Sequence, residues 1–406
     1  MNQNISVIKD PKISMVKGFH SNAVCCQIKK KDKLDLGIVL CDVPARVFGM
    51  YTTNRVKAAP VILGREHIRD KKAQALIVNC GYANACTGEE GIANAKTVCS
   101  EVARVFGIRQ EDVIPASTGT IGPQLPMDKI IPGIKGLKDI IKMENDKAFS
   151  RAIMTTDTVC KIAGVTVKSG DQSYSIVGTA KGSGMIAPNM ATMLCFIFTD
   201  AAVSGPLFEK AFKFSVNKSL NCVTIDGDMS TNDSALVFSS GLAGNKTVKN
   251  EKSPEYGDFT EALTSVTTAL ARQIAFDGEG ATKLIEITVK NAKNESQAHT
   301  ACMKIANSAL VKTAFFGEDA NWGRIICALG YSGIDFELKK VQLHFNGLLI
   351  FENGQKTDFS LEEAKKILQN REIKVIIDLN NGPGSKTVWT SDLSYDYVKI
   401  NASYTT

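Results

Sequence analysis

The sequence predicts a mixed α and β fold, and three observations carry that reading. Short apolar runs bounded by Gly, Pro, Asn or Asp recur along the chain, at residues 74–79, 192–199 and 284–289 among others, and read as buried strands. Longer stretches with helical spacing, residues 92–106 and 260–275, lie between them. The 406 residues, 44% hydrophobic and 22% charged, have ordinary soluble globular usage. That length gives room for two or three domains, or for one large two-part α/β domain. Periodicity does not give the order of layers.

Composition excludes several function classes. The net charge of +6 is modest. The lysines of residues 29–33 and the pair Lys71 and Lys72 have no interleaved aromatics, which describes a solvated face rather than a nucleic-acid track. The eleven cysteines are scattered, with only Cys25 and Cys26 adjacent and no C-x-x-C, so reduced thiols in a cytoplasmic protein are expected. The N-terminus lacks an apolar signal region, and no run approaches the about 18 apolar residues of a membrane span. Four histidines, His20, His67, His299 and His344, stand in no motif, which disfavours a Ser-His or Cys-His hydrolase.

In chain order, residues 36–40 and 47–51 read as two strands around a turn at Pro44. The strand at residues 74–79 runs into the small-residue turn Asn79-Cys80-Gly81-Tyr82-Ala83-Asn84-Ala85-Cys86-Thr87-Gly88, expected to be a tight packing turn, and then into the helix at 92–106. Residues 113–122 form a strand ending in Ser117-Thr118-Gly119. Such an end exposes backbone N–H groups and a hydroxyl, the donors that acyl transfer needs at a developing oxyanion. Residues 146–154 read as a helix, followed by Thr155-Thr156-Asp157-Thr158 and by strands at 162–167 and 174–177.

The stretch that organises the chain is Lys181-Gly182-Ser183-Gly184-Met185-Ile186-Ala187-Pro188-Asn189-Met190-Ala191-Thr192-Met193-Leu194. A Gly- and Pro-broken loop here meets an apolar strand at Thr192. A Thr hydroxyl needs a base to become a nucleophile, and cutting the preceding bond frees the residue's own α-amine for that task. Locally, though, the pattern describes a structural Thr better than a catalytic one. Gly182 to Ala187 also satisfies G-x-G-x-x-G/A, but Pro188 and a strand follow where a dinucleotide site needs a helix.

Further on, Ser204 is placed to cap a helix with Pro206 in its first turn. Asp226-x-Asp228-x-Ser230 has the start of a calcium loop, but Thr231 stands at position six and Val237 at position twelve, so no metal is expected. Glu279 lies between two glycines in Asp277-Gly278-Glu279-Gly280-Ala281-Thr282-Lys283, as a carboxylate does where the backbone approaches something closely. Residues 317–325 read as a loop that starts a helix. Ser360 and Glu363 form a capping box for a helix to Gln369. Strands at 374–379 and 386–390 follow.

These motifs, from Gly18 to Thr406, together resemble the ornithine acetyltransferase family (glutamate N-acetyltransferase of arginine biosynthesis). The resemblance rests on the Lys181–Leu194 stretch, the 79–88 turn, Ser117-Thr118-Gly119, the 221–233 segment, the Asp277–Lys283 run, Gly317-Glu318-Asp319-Ala320-Asn321-Trp322-Gly323-Arg324 and the tail 397–406. The chain departs from the family pattern at Cys80 and Tyr82. The resemblance implies an α/β/β/α sandwich of the N-terminal-nucleophile aminopeptidase-like type. It implies self-cleavage between Ala191 and Thr192, giving an alpha chain of residues 1–191 and a beta chain of 192–406, and an α2β2 assembly. By the same resemblance Thr192 is the acetyl-accepting nucleophile. Thr118 and Gly119 form the oxyanion hole, and Thr155, Lys181, Thr192, Glu279, Asn401 and Thr406 bind substrate. The implied reaction moves acetyl from N2-acetylornithine to glutamate without a cofactor, and leaves open whether acetyl-CoA is also a co-substrate. Two other readings stand beside it. One is an aminopeptidase or amidohydrolase of the same fold, in which water accepts the acyl group. The other is a non-enzymatic binding protein that does not cleave itself.

Overall fold

The structure, a computed structural model, describes residues 3–28, 31–143, 145, 147–187 and 193–403. Ala191, Thr192 and Thr406 lie outside the described residues. The chain adopts the expected mixed α and β architecture, with two mixed sheets, of nine and seven strands, among the described residues.

Along the larger sheet the strands run Ile5–Val7, Lys161–Ser169, Gln172–Lys181, Leu194–Thr199, Ser234–Ser239, Leu36–Tyr51, Lys72–Tyr82 and Val113–Thr120, with Phe19–Val24 also paired to Leu36–Tyr51. The two strands from after residue 192, Leu194–Thr199 and Ser234–Ser239, therefore lie side by side between strands from before it. Lys181 pairs with Leu194 antiparallel, Leu194 with Ser234 parallel, and Ser234 with Tyr51 antiparallel. This register brings the end of one strand and the start of the next two to a single edge of the sheet. Phe198 stacks on Phe238 at 5.4 Å between ring centroids and packs against Phe19 at 5.2 Å, closing one face over the buried strands.

The smaller sheet runs Gln355–Lys356, Leu348–Glu352, Gln342–Phe345, Glu372–Asp378, Leu284–Ala292, Gly384–Ser391 and Val223–Thr224. Helix Pro254–Phe276 packs on strands of both sheets. Its fully buried Phe259, Leu263, Val266, Leu270 and Ile274 recur every three to four residues, the spacing that puts them on one face. Each such side chain contributes about 1.5–3 kcal/mol by leaving water. Ser253 caps the helix by accepting the Tyr256 N–H, and Pro254 sits at its first position. The loop that leaves this helix carries Glu279, so packing of the helix against both sheets sets where that carboxylate stands.

Several expectations need correction. Residues 36–51 form one continuous strand rather than two; its register shifts between Leu40 and Ala45, and Pro44 sits in that irregularity, where no ladder N–H is missed. The helix expected over 146–154 is only Ala148–Ala152. Ser204 occupies the cap position of helix Gly205–Lys218 but its side chain makes no capping bond. Five helices were not foreseen: Ala59–His67, Met127–Ile140, Glu295–Ala306, Ala309–Phe316 and Tyr395–Ser403. Among the described residues no helix is long and apolar enough to cross a membrane.

Candidate functional site

A cavity of about 280 Å³ opens at the sheet edge where Lys181 and Leu194 meet. Thr118, Gly119, Thr155, Lys181, Glu279 and Asn401 all line it. These six come from five separate parts of the chain, and the fold gathers every described residue expected at the site. Met193 and Leu194, which follow Thr192 in sequence, line the same cavity.

Thr118 and Gly119 end strand Val113–Thr120, which pairs parallel with Lys72–Tyr82 and places Gly119 beside Gly81. Gly119 has φ +127°, and a Cβ there would stand 2.3 Å from the Gly81 carbonyl, so only glycine fits. The end of this strand is held from beneath. Ser117 Oγ donates to Asn79 Oδ1 at 2.5 Å, and Asn232 Nδ2 donates to the Ser117 and Ala83 carbonyls at 2.8 and 2.7 Å.

Lys181 is buried and its Nζ donates to Thr118 Oγ1 at 3.1 Å. Glu279, also buried, accepts from Asn401 Nδ2 at 2.8 Å. Among the described residues Lys181 and Glu279 form no ion pair with each other, so the cavity keeps a cation on one wall and an anion on another. The Glu279 N–H donates to the Ser183 carbonyl at 2.7 Å, which ties its loop to the Gly-rich turn. Gly184 makes room for the carboxylate; a Cβ there would stand 2.2 Å from Glu279 Oε2.

Asp226 holds the same turn from the other side, accepting the Met185 and Ile186 N–H groups at 2.6 and 2.8 Å. Burial pushes the Asp226 carboxyl up, against the opposing pull of its N–H donors and of the Tyr397 hydroxyl, which donates to it at 3.2 Å. Burial likewise raises the Tyr397 phenol, keeping it a donor. Asp226 and Asn232 thus brace the site.

The two departures from the family pattern lie off the cavity lining. Cys80 is buried with its Sγ on the Met154 carbonyl at 3.0 Å, and burial pushes its thiol up to about 11. Tyr82 packs partly buried against the apolar cluster that includes helix Gly88–Phe106. The first four residues of the expected 79–88 turn instead continue strand Lys72–Tyr82; of the rest, Ala83 reaches the lining.

The sequence profile of the ArgJ family matches residues 20–406, nearly the whole chain. The chain belongs to the ArgJ family. It is 48% identical over 403 residues to the arginine biosynthesis bifunctional protein ArgJ of Caldanaerobacter subterraneus subsp. tengcongensis, covering 98% of this chain and 100% of that protein. It is 47% identical over 392 residues to the protein of the same name from Geobacter sulfurreducens, covering 96% of this chain and 100% of that one. The crystal structure of ArgJ from Bacillus halodurans matches with a TM-score of 0.50 at 43% identity, over 52% of this chain and 98% of that chain.

Sequence reading did not single out Tyr397 as a lining residue, nor the apolar wall of Met185, Met193 and Met229. Their positions follow from the fold; no local pattern marks them. It also passed over Asp157, which lies one residue from Thr156 on the wall. Asp157 accepts the Thr155 N–H at 3.0 Å and the Gly182 N–H at 2.8 Å, and pairs with Lys161 at 2.6 Å. An acidic residue four positions before a lysine was the available signal.

Proposed function

We propose that this ArgJ family member is an acetyltransferase of arginine biosynthesis that moves acetyl from N2-acetylornithine to glutamate through an acetyl-Thr192 intermediate. The single observation that carries the reading is the pairing of Thr118 with Lys181 in a cavity that also holds Glu279. A hydroxyl offers one proton and two lone pairs. With Lys181 on a lone pair, the Thr118 proton remains for an oxyanion, together with the Gly119 N–H. In N2-acetylornithine the α-carboxylate is two bonds from the acetylated nitrogen, so one ammonium can serve both Thr118 and that carboxylate. The side-chain ammonium of ornithine lies three methylenes further, toward Glu279 and Asn401. Thr155 and Thr406 complete the binding set.

In this reading self-cleavage between Ala191 and Thr192 frees the α-amine that takes the hydroxyl proton. The Thr192 oxygen attacks the acetyl carbon, and the C–N bond breaks with the proton passing to the departing ornithine nitrogen. The α-amine of glutamate then attacks the acetyl-Thr192 ester, returning the proton to the Thr192 oxygen. The coverage of the Bacillus halodurans chain supports cleavage: that chain is about half as long as this one, as one product of the cut is. An α2β2 assembly in the cytoplasm and use of acetyl-CoA as an alternative donor belong to the same proposal. No resident cofactor is invoked.

Initial rates at several fixed glutamate concentrations test it. Parallel double-reciprocal lines and an acetyl group on Thr192 by mass spectrometry are expected. Intersecting lines would refute the shared intermediate. Acetate release without N-acetylglutamate would instead identify an amidohydrolase.

A further inference from the structure

Behind the cavity, and off its lining, lies a line of buried charges. Lys161 is fully buried and its Nζ stands 2.6 Å from Asp157 Oδ1 and 2.5 Å from Asp277 Oδ2. Asp157 also feels the Lys181 ammonium. Burial pushes the Asp157 carboxyl up, but Lys161, Lys181 and the Gly182 N–H outweigh it and hold the carboxyl down at about 2. Lys181, Asp157, Lys161 and Asp277 therefore alternate in sign, and the four together carry no net charge. Asp277 further accepts the Thr158 N–H at 3.0 Å and the Thr158 hydroxyl.

Each acceptor in this line lies within two residues of a cavity residue in the chain. Asp157 binds the N–H of Thr155, which lines the cavity, and the N–H of Gly182, the neighbour of Lys181. Asp277 stands two residues before Glu279 and closes the helix that ends at Phe276. We infer that Asp157, Lys161 and Asp277 are positioning residues that fix the distance between the Lys181 wall and the Glu279 wall, and so set which substrate length the site accepts. The inference deepens the reading of Lys181 and Glu279 as substrate-binding groups and rests on it.

The geometry divides the labour. Asp157 governs the Lys181–Thr118 side, where the acetyl group reacts. Asp277 governs the Glu279 side, where a substrate's side chain ends. A buried salt bridge that only held the fold together would not separate the two, because a shift of about 1 Å in one binding group is felt only by the substrate part it contacts.

The test uses the full-length protein with Asp157→Asn, Asp277→Asn and Lys161→Arg, and with Lys181→Met and Glu279→Gln as references. Kinetics are normalised to the self-cleaved fraction. Asp277→Asn is expected to raise KM for N2-acetylornithine about tenfold, with a smaller change for glutamate. Asp157→Asn is expected to lower kcat about tenfold with both. Lys161→Arg, which keeps the charge, should retain more activity than either. Wild-type kcat and KM in Asp157→Asn and Asp277→Asn, with only a lowered Tm, would overturn the inference. So would an equal rise in KM for N2-acetylornithine and for glutamate in Asp277→Asn. If the Asn variants are not recovered folded, Thr158→Val, which removes only the hydroxyl on Asp277, takes the place of Asp277→Asn with the same two outcomes. The reference variants separate the failures. If Lys181→Met and Glu279→Gln leave kinetics unchanged, it is the assignment of the cavity walls that has failed.

Discussion

The Lys181 ammonium stands 3.1 Å from the Thr118 hydroxyl, joining residues 63 positions apart in the sequence. A cation on the hydroxyl's lone pair makes its proton a better donor, since hydrogen bonds in series polarise one another. Removal of one oxyanion donor costs about 10²–10³ in kcat. Thr118→Ala should fall in that range with KM little changed. Lys181→Met should lower kcat and also raise KM, because in the proposed reading Lys181 serves both the hydroxyl and the substrate carboxylate. The double variant should lose less than the sum of the two. A double-mutant cycle in steady-state kinetics measures this, and strict additivity would show that the two groups act separately.

Glu279 and Asn401 form the other wall. Glu279→Gln should weaken N2-acetylornithine by about 2–5 kcal/mol, the range for breaking a buried contact to a charged partner. Self-cleavage should still proceed. Asn401→Ala should have a smaller effect in the same direction, as it loosens the carboxylate without removing it. Equilibrium binding of ornithine reads both. Unchanged affinity in Glu279→Gln would take that residue off the binding wall.

Two glycine substitutions should behave oppositely. In Gly184→Ala the added carbon meets the free end of the Glu279 side chain, which can swing away. Binding of N2-acetylornithine should weaken while Tm stays near wild type. In Gly119→Ala the added carbon meets the Gly81 backbone, at a positive φ, and neither can give. The strain should destabilise the protein by at least about 1–3 kcal/mol. Thermal unfolding beside ligand titration distinguishes them, and a shared phenotype would contradict the close approaches described.

Purified protein should consist of two chains, of 191 and 215 residues, the second beginning Thr-Met-Leu-Cys. Thr192→Ala should remain a single inactive chain. N-terminal sequencing and intact mass decide the matter; a fully active uncut chain would end the Thr192 mechanism.

A pH prediction rests on Lys312. It is buried, with its Nζ on Thr390 Oγ1 at 2.9 Å and on the Ser391 carbonyl. Burial holds its pKa down at about 7, against the opposing pull of Asp392 and Asp226. An unfolded lysine titrates near ~10.4. Between pH 7 and that value the unfolded chain binds the extra proton, so this group makes stability rise with pH across that window, by up to about 1.4 kcal/mol per unit. Below pH 7 both states are protonated and the dependence stops. Wild type minus Lys312→Met should therefore climb from pH 7 to 10 in denaturant unfolding. Parallel curves would show that Lys312 keeps its proton in the folded state.

The site was more legible than the fold around it. Ser117-Thr118-Gly119, the Lys181 loop and the glycine-flanked Glu279 each carry a local mark, and their gathering into one cavity needed only that the fold close as such families do. The helix Met127–Ile140 was hidden because Pro132, Gly133 and Gly136 punctuate it, although Ile130, Ile134 and Leu137 keep a helical face buried. Pro44 looked like a turn because a bulge and a turn call for the same residue. The contact of Lys161 with Asp277 spans 116 positions, and no short pattern encodes a partner that far away.

The order of strands in the larger sheet bears on partner exchange. Leu194–Thr199 and Ser234–Ser239 lie between Gln172–Lys181 on one side and Leu36–Tyr51 on the other. After a cut before Thr192, the second polypeptide would be laced through the first by ladders on both flanks. The two could not trade mates without melting the sheet. Purified Thr118→Ala enzyme mixed with purified Glu279→Gln enzyme should thus regain no activity, since each polypeptide stays with the one it was translated with. Complementation would require that both be unfolded and refolded together.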